Sequence, residues 1–426
     1  MSTRSVEVHV ERSGAPEHAA DLTFETNAGG ALISTTFQYQ PSWLGAPGAY
    51  ELSPELRLQS GPTRFTGRPL LPGSLADTGP DRWGRTLLFD AARREARTTG
   101  GPLPRLSEAD FILLASDATR HGNVRYRDPS TGVFLSAQRA GLPTLVDLEA
   151  LVHAAQRTTA HQGQTDADLQ LLVAGGTTLG GARPKVNVHL SSGRLALAKL
   201  PASDDRWDVE AWEATTLTLA RLAGIQVPPF ELHRIDTDTS VLVVERFDRD
   251  EHGHRVGYWS AHTLLEQQDG EALSYVELVD AAGDRMQNPR AQRAELFRRV
   301  AFNLLVNDVD DHMKNHGLLR TALAWQLAPA FDLNPWPWEW KVESTPIGVG
   351  GTRTDRTIEE LIEQAPAFGL RRDEAARTVA DVERSTRSWT QVAERFGIAD
   401  PSESILSSAF DNPNRTAVTR WAPGGR

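Results

Sequence analysis

Between Leu171 and Pro201 the sequence prescribes an antiparallel hairpin with a glycine-rich approach. Leu171-Leu172-Val173-Ala174-Gly175-Gly176-Thr177-Thr178-Leu179-Gly180-Gly181-Ala182-Arg183-Pro184-Lys185 leads into the alternating run Val186-Val188-Leu190. Ser191-Ser192-Gly193 supplies a turn, and Leu195-Leu197 brings the chain back to Ala198-Lys199-Leu200-Pro201. Period-two alternation on both sides of a Gly-containing turn calls for paired strands. A helical pattern follows over 208–222, with Val209, Trp212, Thr216 and Leu219 on one face and Gly224 as its stop. Strand patterns over 230–235 and 240–244 come next. Strands and helices thus mix along the chain, which places it in the α/β (α+β) class.

The N-terminal part is strand-rich. Val6-Val8-Val10 alternate, and Leu22-Phe24 and Leu32-Ile33 flank the turn signal Ala28-Gly29-Gly30. Pro80-Asp81-Arg82-Trp83-Gly84-Arg85 opens a helix over 86–96, and Ser107 suits the N-cap of another. Helical signals run over 145–157, and the polar stretch 158–166 reads as a mobile connector. Leu296, Val300 and Leu304 recur at i, i+4 and i+8, a buried helical stripe. Short strands are expected over 317–319 and 324–327, and helices over 358–365, 373–394 and 402–409, with a frayed tail from Pro413. Trp336, Trp338 and Trp340 alternate at period two and read as one face of a strand. The length of 426 residues fits two or three domains.

Composition removes several function classes. The 45 basic and 56 acidic residues leave a net charge of −11, unfavourable for general nucleic-acid binding, because phosphate contacts dominate that affinity. DNA association would come through a basic partner. With no cysteine, disulfides, zinc–thiolate sites and thiol catalysis are excluded. No run approaches the roughly 20 apolar residues of a spanning helix, and no apolar stretch follows Met1-Ser2-Thr3-Arg4-Ser5, so no membrane association is expected and a cytoplasmic address fits.

The chemistry concentrates in Asn307-Asp308-Val309-Asp310-Asp311-His312-Met313-Lys314-Asn315 and in Ala328-Pro329-Ala330-Phe331-Asp332-Leu333. Two acidic turns with a carboxamide supply what phosphoryl transfer needs: a carboxylate to accept a hydroxyl proton, and an Asn and an Asp for magnesium on ATP phosphates. Lys199 at a strand end, with Glu210 or Glu213 on the next helix, matches the pairing that holds ATP phosphates in kinases. The glycine run has neither a dinucleotide nor a Walker pattern, yet it lets backbone approach phosphates, and Thr177, Thr178, Arg183 and Lys185 add hydroxyl and cationic groups. Two other readings stand beside this one. Asp310-Asp311-His312 suits the metal site of a hydrolase, although no second His cluster accompanies it in sequence. A solvated acidic loop without function is the third.

Taken together, Thr178 to Lys185, Ala198-Lys199-Leu200-Pro201, Val244-Glu245-Arg246-Phe247-Asp248-Arg249, Asp310 to Asn315 and Pro329-Ala330-Phe331-Asp332-Leu333 resemble the HipA-family serine/threonine kinases, the toxins of bacterial toxin–antitoxin pairs. The N-terminal motif at Pro80 to Arg85 resembles the family's N-terminal subdomain more loosely. The resemblance implies a bilobal protein-kinase-like fold with a strand-rich N-terminal subdomain and a mostly helical C-lobe, and a three-way division over 1–143, 144–249 and 250–426. It implies Asp310 as catalytic base, Asn315 and Asp332 as magnesium ligands, and Lys199 on the ATP phosphates. It places Glu245 and Phe247 at an adenine hinge and Glu213 on the helix before Ala223-Gly224-Ile225-Gln226-Val227-Pro228. Gly180, Gly181 and Lys185 would belong to the nucleotide loop. Thr178, with Thr177 beside it, takes the position of the family's autophosphorylated serine. ATP and Mg²⁺ are the implied cofactors, and the implied partners are a protein substrate, in known cases from the translation machinery, and a small helix-turn-helix antitoxin that carries the DNA contacts. A catalytically silent antitoxin-binding module and a small-molecule kinase on the same fold are the alternative functions.

Overall fold

The structure is a computed structural model describing residues 1–137, 141–176, 181–237, 239–267, 271–341, 346–350 and 356–421. It divides into two compact units: Met1–Asp204 with Val243–Gln268 and Leu319–Leu323, and Asp205–Leu242 with Asp269–Leu318 and Ala324–Arg426. Among the described residues no helix is long and apolar enough to cross a membrane.

The first unit is built on a five-stranded antiparallel sheet, order β4-β3-β2-β1-β5. Its strands are β1 (Ser2–Arg12), β2 (Ala15–Thr26), β3 (Leu32–Tyr39), β4 (Thr63–Phe65) and β5 (Val124–Arg127). Val8, Val10, Leu22 and Tyr126 are fully buried on it, as the period-two alternation predicts. Helix α1 (Arg82–Thr99) starts where the Pro80–Arg85 motif predicts a helix: Asp81 is its N-cap, accepting from Gly84 N at 2.6 Å, and Gly100 closes it at φ 67°.

The stretch 158–166 is not a loose connector throughout. The preceding helix, Leu148–Thr159, runs into it, and Thr165 caps a helix, α2 (Asp166–Ala174), through a reciprocal capping box with Asp168. The hairpin forms as expected, with β6 (Lys185–His189) antiparallel to β7 (Leu195–Lys199).

In the second unit, α3 (Val209–Leu222) carries the predicted face, with Trp212, Thr216 and Leu219 buried. Strands β8 (Phe230–Arg234) and β9 (Ser240–Glu245) follow, β9 running on into the first unit's sequence. Helix α4 (Tyr275–Ala282) precedes α5 (Pro289–Leu305), whose Leu296, Val300 and Leu304 are 1–2% exposed.

Several expectations about this unit fail: the helix expected over 373–394 breaks between Thr386 and Trp389, and 402–409 holds only a 3₁₀ turn, Pro401–Glu403, and the short helix Ser407–Phe410. Trp336, Trp338 and Trp340 form no strand. Pro335 precedes them and Pro337 lies between the first two, and a proline cannot donate to a ladder; instead Trp336 and Trp340 pack with Trp207, ring centroids 5.8–5.9 Å apart. The tail does not fray at Pro413 either. Helices α6 (Ile358–Glu363), α7 (Arg372–Thr386) and α8 (Trp389–Arg395) are followed by α9 (Pro413–Trp421), which is docked through Ala417 and Val418. Asn414 Oδ1 accepts from Ile358 N at 3.0 Å, tying the two helix starts together.

Candidate active site

The acidic turn begins where α5 must stop. Asn307 is left-handed at φ 50°, a conformation Asn tolerates better than most residues. Its side chain donates to Trp336 O at 2.7 Å, and Trp336 N returns a bond to Asn307 O at 3.2 Å. This pair holds the turn beside the segment that follows Asp332. Asp332 is itself left-handed, at φ 60°. The Ala330 N–H donates to Gln226 O at 2.7 Å, and the Thr216 hydroxyl on α3 donates to Leu333 O. Asp332 is therefore fixed from both sides.

One pocket, an empty volume of ≈ 320 Å³ open to solvent, gathers Asn303, Asp308, Asp311, Asn315, His316 and Asp332 in its lining. The two expected magnesium ligands, Asn315 and Asp332, thus share a single concavity. The Asn315 amide nitrogen donates to Asp310 O at 2.9 Å, which sets the orientation of its carboxamide. Asp310 is exposed on the turn and is not part of that lining. Glu213 is buried on α3 one turn before Thr216, on the same side of the helix.

Three neighbouring carboxylates have three different environments. Asp311 is 1% exposed, takes hydrogen bonds from the Tyr275 hydroxyl and from His316 Nε2 at 2.8 Å, and faces Arg356 at 3.5 Å. Burial would raise its pKa, but His316, Arg356 and Tyr275 outweigh burial and hold it well below the usual carboxylate range. Asp308 is equally buried, and its Oδ1 has no hydrogen-bond partner. Burial, then the charge of Asp311, pushes its pKa well up, with Asp332 and Asp310 adding to the effect. No local pattern separates Asp308 and Asp311 from Asp310, and Tyr275 and Arg356 lie too far along the chain to signal a link to them.

The remaining expected residues that the structure describes lie in the first unit. Lys199 ends β7, half-buried, as the cross-strand partner of Lys185. Lys185 is buried and ion-paired with the α1 cap Asp81 at 3.2 Å. Gly181 sits at φ 113°, a backbone conformation that favours glycine, and a Cβ there would fall 2.7 Å from the flexible end of Lys185, at Nζ. Gly180, Thr177 and Thr178 lie outside the described residues.

Glu245 pairs with Arg194, and Phe247 packs near His121 and Tyr258, at 6.3 and 6.4 Å between centroids. Between them Arg246 turns inward. It donates to Asp248 Oδ1 at 2.7 Å and to Asn187 Oδ1 at 2.7 Å, and Asn187 Nδ2 donates to Gly175 O at 3.0 Å. The start of the glycine run is thereby tied to the residues after β9. This buried network went unseen in the sequence, because Arg246 and Asp248 look like a polar turn.

Two family models match the chain. The model of the HipA-like C-terminal domain covers residues 177–390, and that of the HipA N-terminal domain covers 17–109. The chain belongs to the HipA family. Asp310, Asn315, Asp332 and Lys199 fall inside the C-terminal match, and Asp81 inside the N-terminal one.

Among curated proteins the chain is similar to Y4dM of Sinorhizobium fredii, provisionally called a kinase: 27% identity over 154 residues, 32% of this chain and 36% of that protein. The chain thus matches only about a third of that relative's length. Among solved structures it is similar to the HipA chain of a Shewanella oneidensis complex of HipA, HipB and operator DNA. There the TM-score is 0.68 at 16% identity, over 97% of this chain and 96% of that one, so the mixed α/β fold is the HipA fold.

Proposed function

We propose that this HipA-family protein is an ATP-dependent serine/threonine kinase that acts as the toxin of a toxin–antitoxin pair. The observation that carries the reading is the convergence of Asn315 and Asp332 in one pocket, with Asp310 on the exposed turn beside it. The pocket's side-chain donors are chiefly oxygens, and Asp308 adds a buried oxygen without a partner, a set that fits a hard cation such as Mg²⁺. Asn315 and Asp332 would hold it, and bound magnesium would neutralise phosphate charge. Asp310 would accept the proton of a substrate serine or threonine hydroxyl. Lys199 would contact phosphates, with Glu213 as its acidic counterpart. Glu245 and Phe247 would border the adenine, and Gly180, Gly181 and Lys185 would form the nucleotide loop. Thr178 or Thr177 would be the site of self-phosphorylation. The target would be a cytosolic protein, and the partner a small helix-turn-helix antitoxin that carries the DNA contacts, as suggested by the HipA–HipB–DNA assembly of the Shewanella relative.

The test is transfer of labelled γ-phosphate from Mg-ATP to the protein itself or to a protein of a cell lysate. Loss of a general base costs about 10²–10⁴ in rate, so Asp310→Ala should lower transfer at least about 100-fold. Undiminished transfer in that variant rejects Asp310 as the base. Nucleotide binding with no transfer by the parent protein to any protein or small acceptor would favour the silent module instead.

A further inference from the structure

The N-terminal sheet carries a cluster that the kinase reading does not use. Glu7 and His9 are two apart on β1 and therefore share a face. On β2 the register shifts between Val8 and His9: Glu7 pairs with Asp21 and Val8 with Ala20, but His9 pairs with His18. The extra residue, Ala19, is a β-bulge, and a bulge re-aims a side chain. Its effect here is to bring His18 to the side of His9 and Glu7. The two imidazoles stack with centroids 5.1 Å apart and planes 12° from parallel. One ligand atom from each of Glu7, His9 and His18 lies within 4.8 Å of the others.

We propose that Glu7, His9 and His18 form a binding site for a transition-metal dication of the zinc type, with Asp21 as the adjoining fourth donor. Two imidazoles and carboxylates are the ligand set such ions prefer, whereas magnesium selects oxygen alone. His9 is 5% exposed and its Nδ1 has no partner, a buried donor that nothing in the fold explains. Today His9 Nε2 meets Glu7 at 2.9 Å and His18 Nε2 meets Asp21 at 2.9 Å, so each imidazole already stands against a carboxylate. Donors around one tetrahedral zinc lie about 3.3 Å apart, so the three side chains, now with donors within 4.8 Å, must rotate to close on the ion. One cation opposes the site: Arg127 Nη1 lies 3.2 Å from Glu7. Its side chain is 37% exposed, and its Nε donates to Gly132 O at 2.8 Å, which holds the guanidinium to one side of the site.

The test is calorimetric titration of the chelator-stripped full chain with zinc chloride, in excess Mg²⁺ to fill the oxygen-rich pocket. One zinc per chain should bind and raise the unfolding temperature. His18→Ala and Glu7→Gln, both on partly exposed side chains, should each weaken that site at least tenfold and abolish the thermal shift. Their circular dichroism and zinc-free unfolding should stay those of the parent. Absence of zinc uptake by the parent overturns the proposal, and so does uptake that both folded variants keep at the parent affinity. Neither result bears on phosphate transfer.

Discussion

Asp311→Asn is the perturbation that most directly probes how the acidic turn is held. The parent carboxylate is buried and accepts from Tyr275 and from His316, with Arg356 Nη1 at 3.5 Å. Asparagine preserves the shape but has one acceptor oxygen where the carboxylate has two. Its NH₂ would then face a donor, and the Arg356 guanidinium would lose its counter-charge. A hydrogen bond to a charged group contributes about 1.5–3 kcal/mol, and removing one member of a buried pair costs about 3–5 kcal/mol. The single change should therefore cost roughly 3–5 kcal/mol of local stability. Unfolding of a chain with two compact units need not be two-state, so the cost is read locally, by amide exchange of peptides spanning 303–318. Protection there should fall on the order of 10²–10⁴-fold, since about 1.4 kcal/mol is one decade. Tyr275→Phe removes the same hydrogen bond from the other side, so the double variant should cost less than the sum of the two.

The sign with pH follows. Because the folded pKa of Asp311 is depressed, its stabilisation is present above the unfolded value near ~3.9 and is lost only as pH falls through the lower folded value. The deficit of Asp311→Asn should thus persist unchanged from pH 5 to 8. A loss of protection under about fivefold, with phosphate transfer intact, would refute the claim that Asp311 anchors the turn.

Asp308→Asn should act in the opposite sense. The folded pKa is raised, so the metal-free fold keeps a proton that the unfolded chain gives up above ~3.9, and stability falls as pH climbs toward the raised value. The asparagine variant cannot ionise, so its thermal midpoint in chelator should decline less than the parent's between pH 5 and 8; parallel curves would contradict the assignment. Asp81→Asn keeps an N-cap for α1 but leaves the Lys185 ammonium buried beside a neutral amide. It should destabilise the first unit by about 3–5 kcal/mol in urea unfolding, and adding Lys185→Met should recover at least ~1 kcal/mol. No recovery would mean that the ion pair is not what Asp81 contributes.

What could be read from the sequence depends on how far apart the deciding residues lie. The β6–β7 hairpin, the α5 stripe and the Ser107 cap are local patterns, and each appears where the periodicity or the cap chemistry puts it. The α2 helix was hidden because its capping pair, Thr165 and Asp168, lies in a polar run whose composition resembles a loop. The Trp alternation misleads because period two alone ignores Pro335 and Pro337, which flank Trp336 and cannot donate to a ladder. The C-terminal helix depends on burial against distant segments, with Asn412 donating to Leu304 O at 3.3 Å, 108 residues away.

The acidic turn shows the same limit at finer grain. Its composition announced charge chemistry, but Asp308, Asp310 and Asp311 are the same residue type within four positions. They differ only in what surrounds them. The Tyr275 hydroxyl comes from 36 residues upstream and the Arg356 guanidinium from far downstream, and these make Asp311 a fixed anion. Asp308 receives no such donor on Oδ1 and is pushed towards its neutral form, while Asp310 stays in solvent. A run of identical acids thus divides into an anchor, a neutral acid and an exposed carboxylate. That division, not the number of acids, is what the proposed roles of Asp310 as base and of the adjoining pocket as a magnesium site would require, because equivalent buried charges so close together would oppose one another's ionisation.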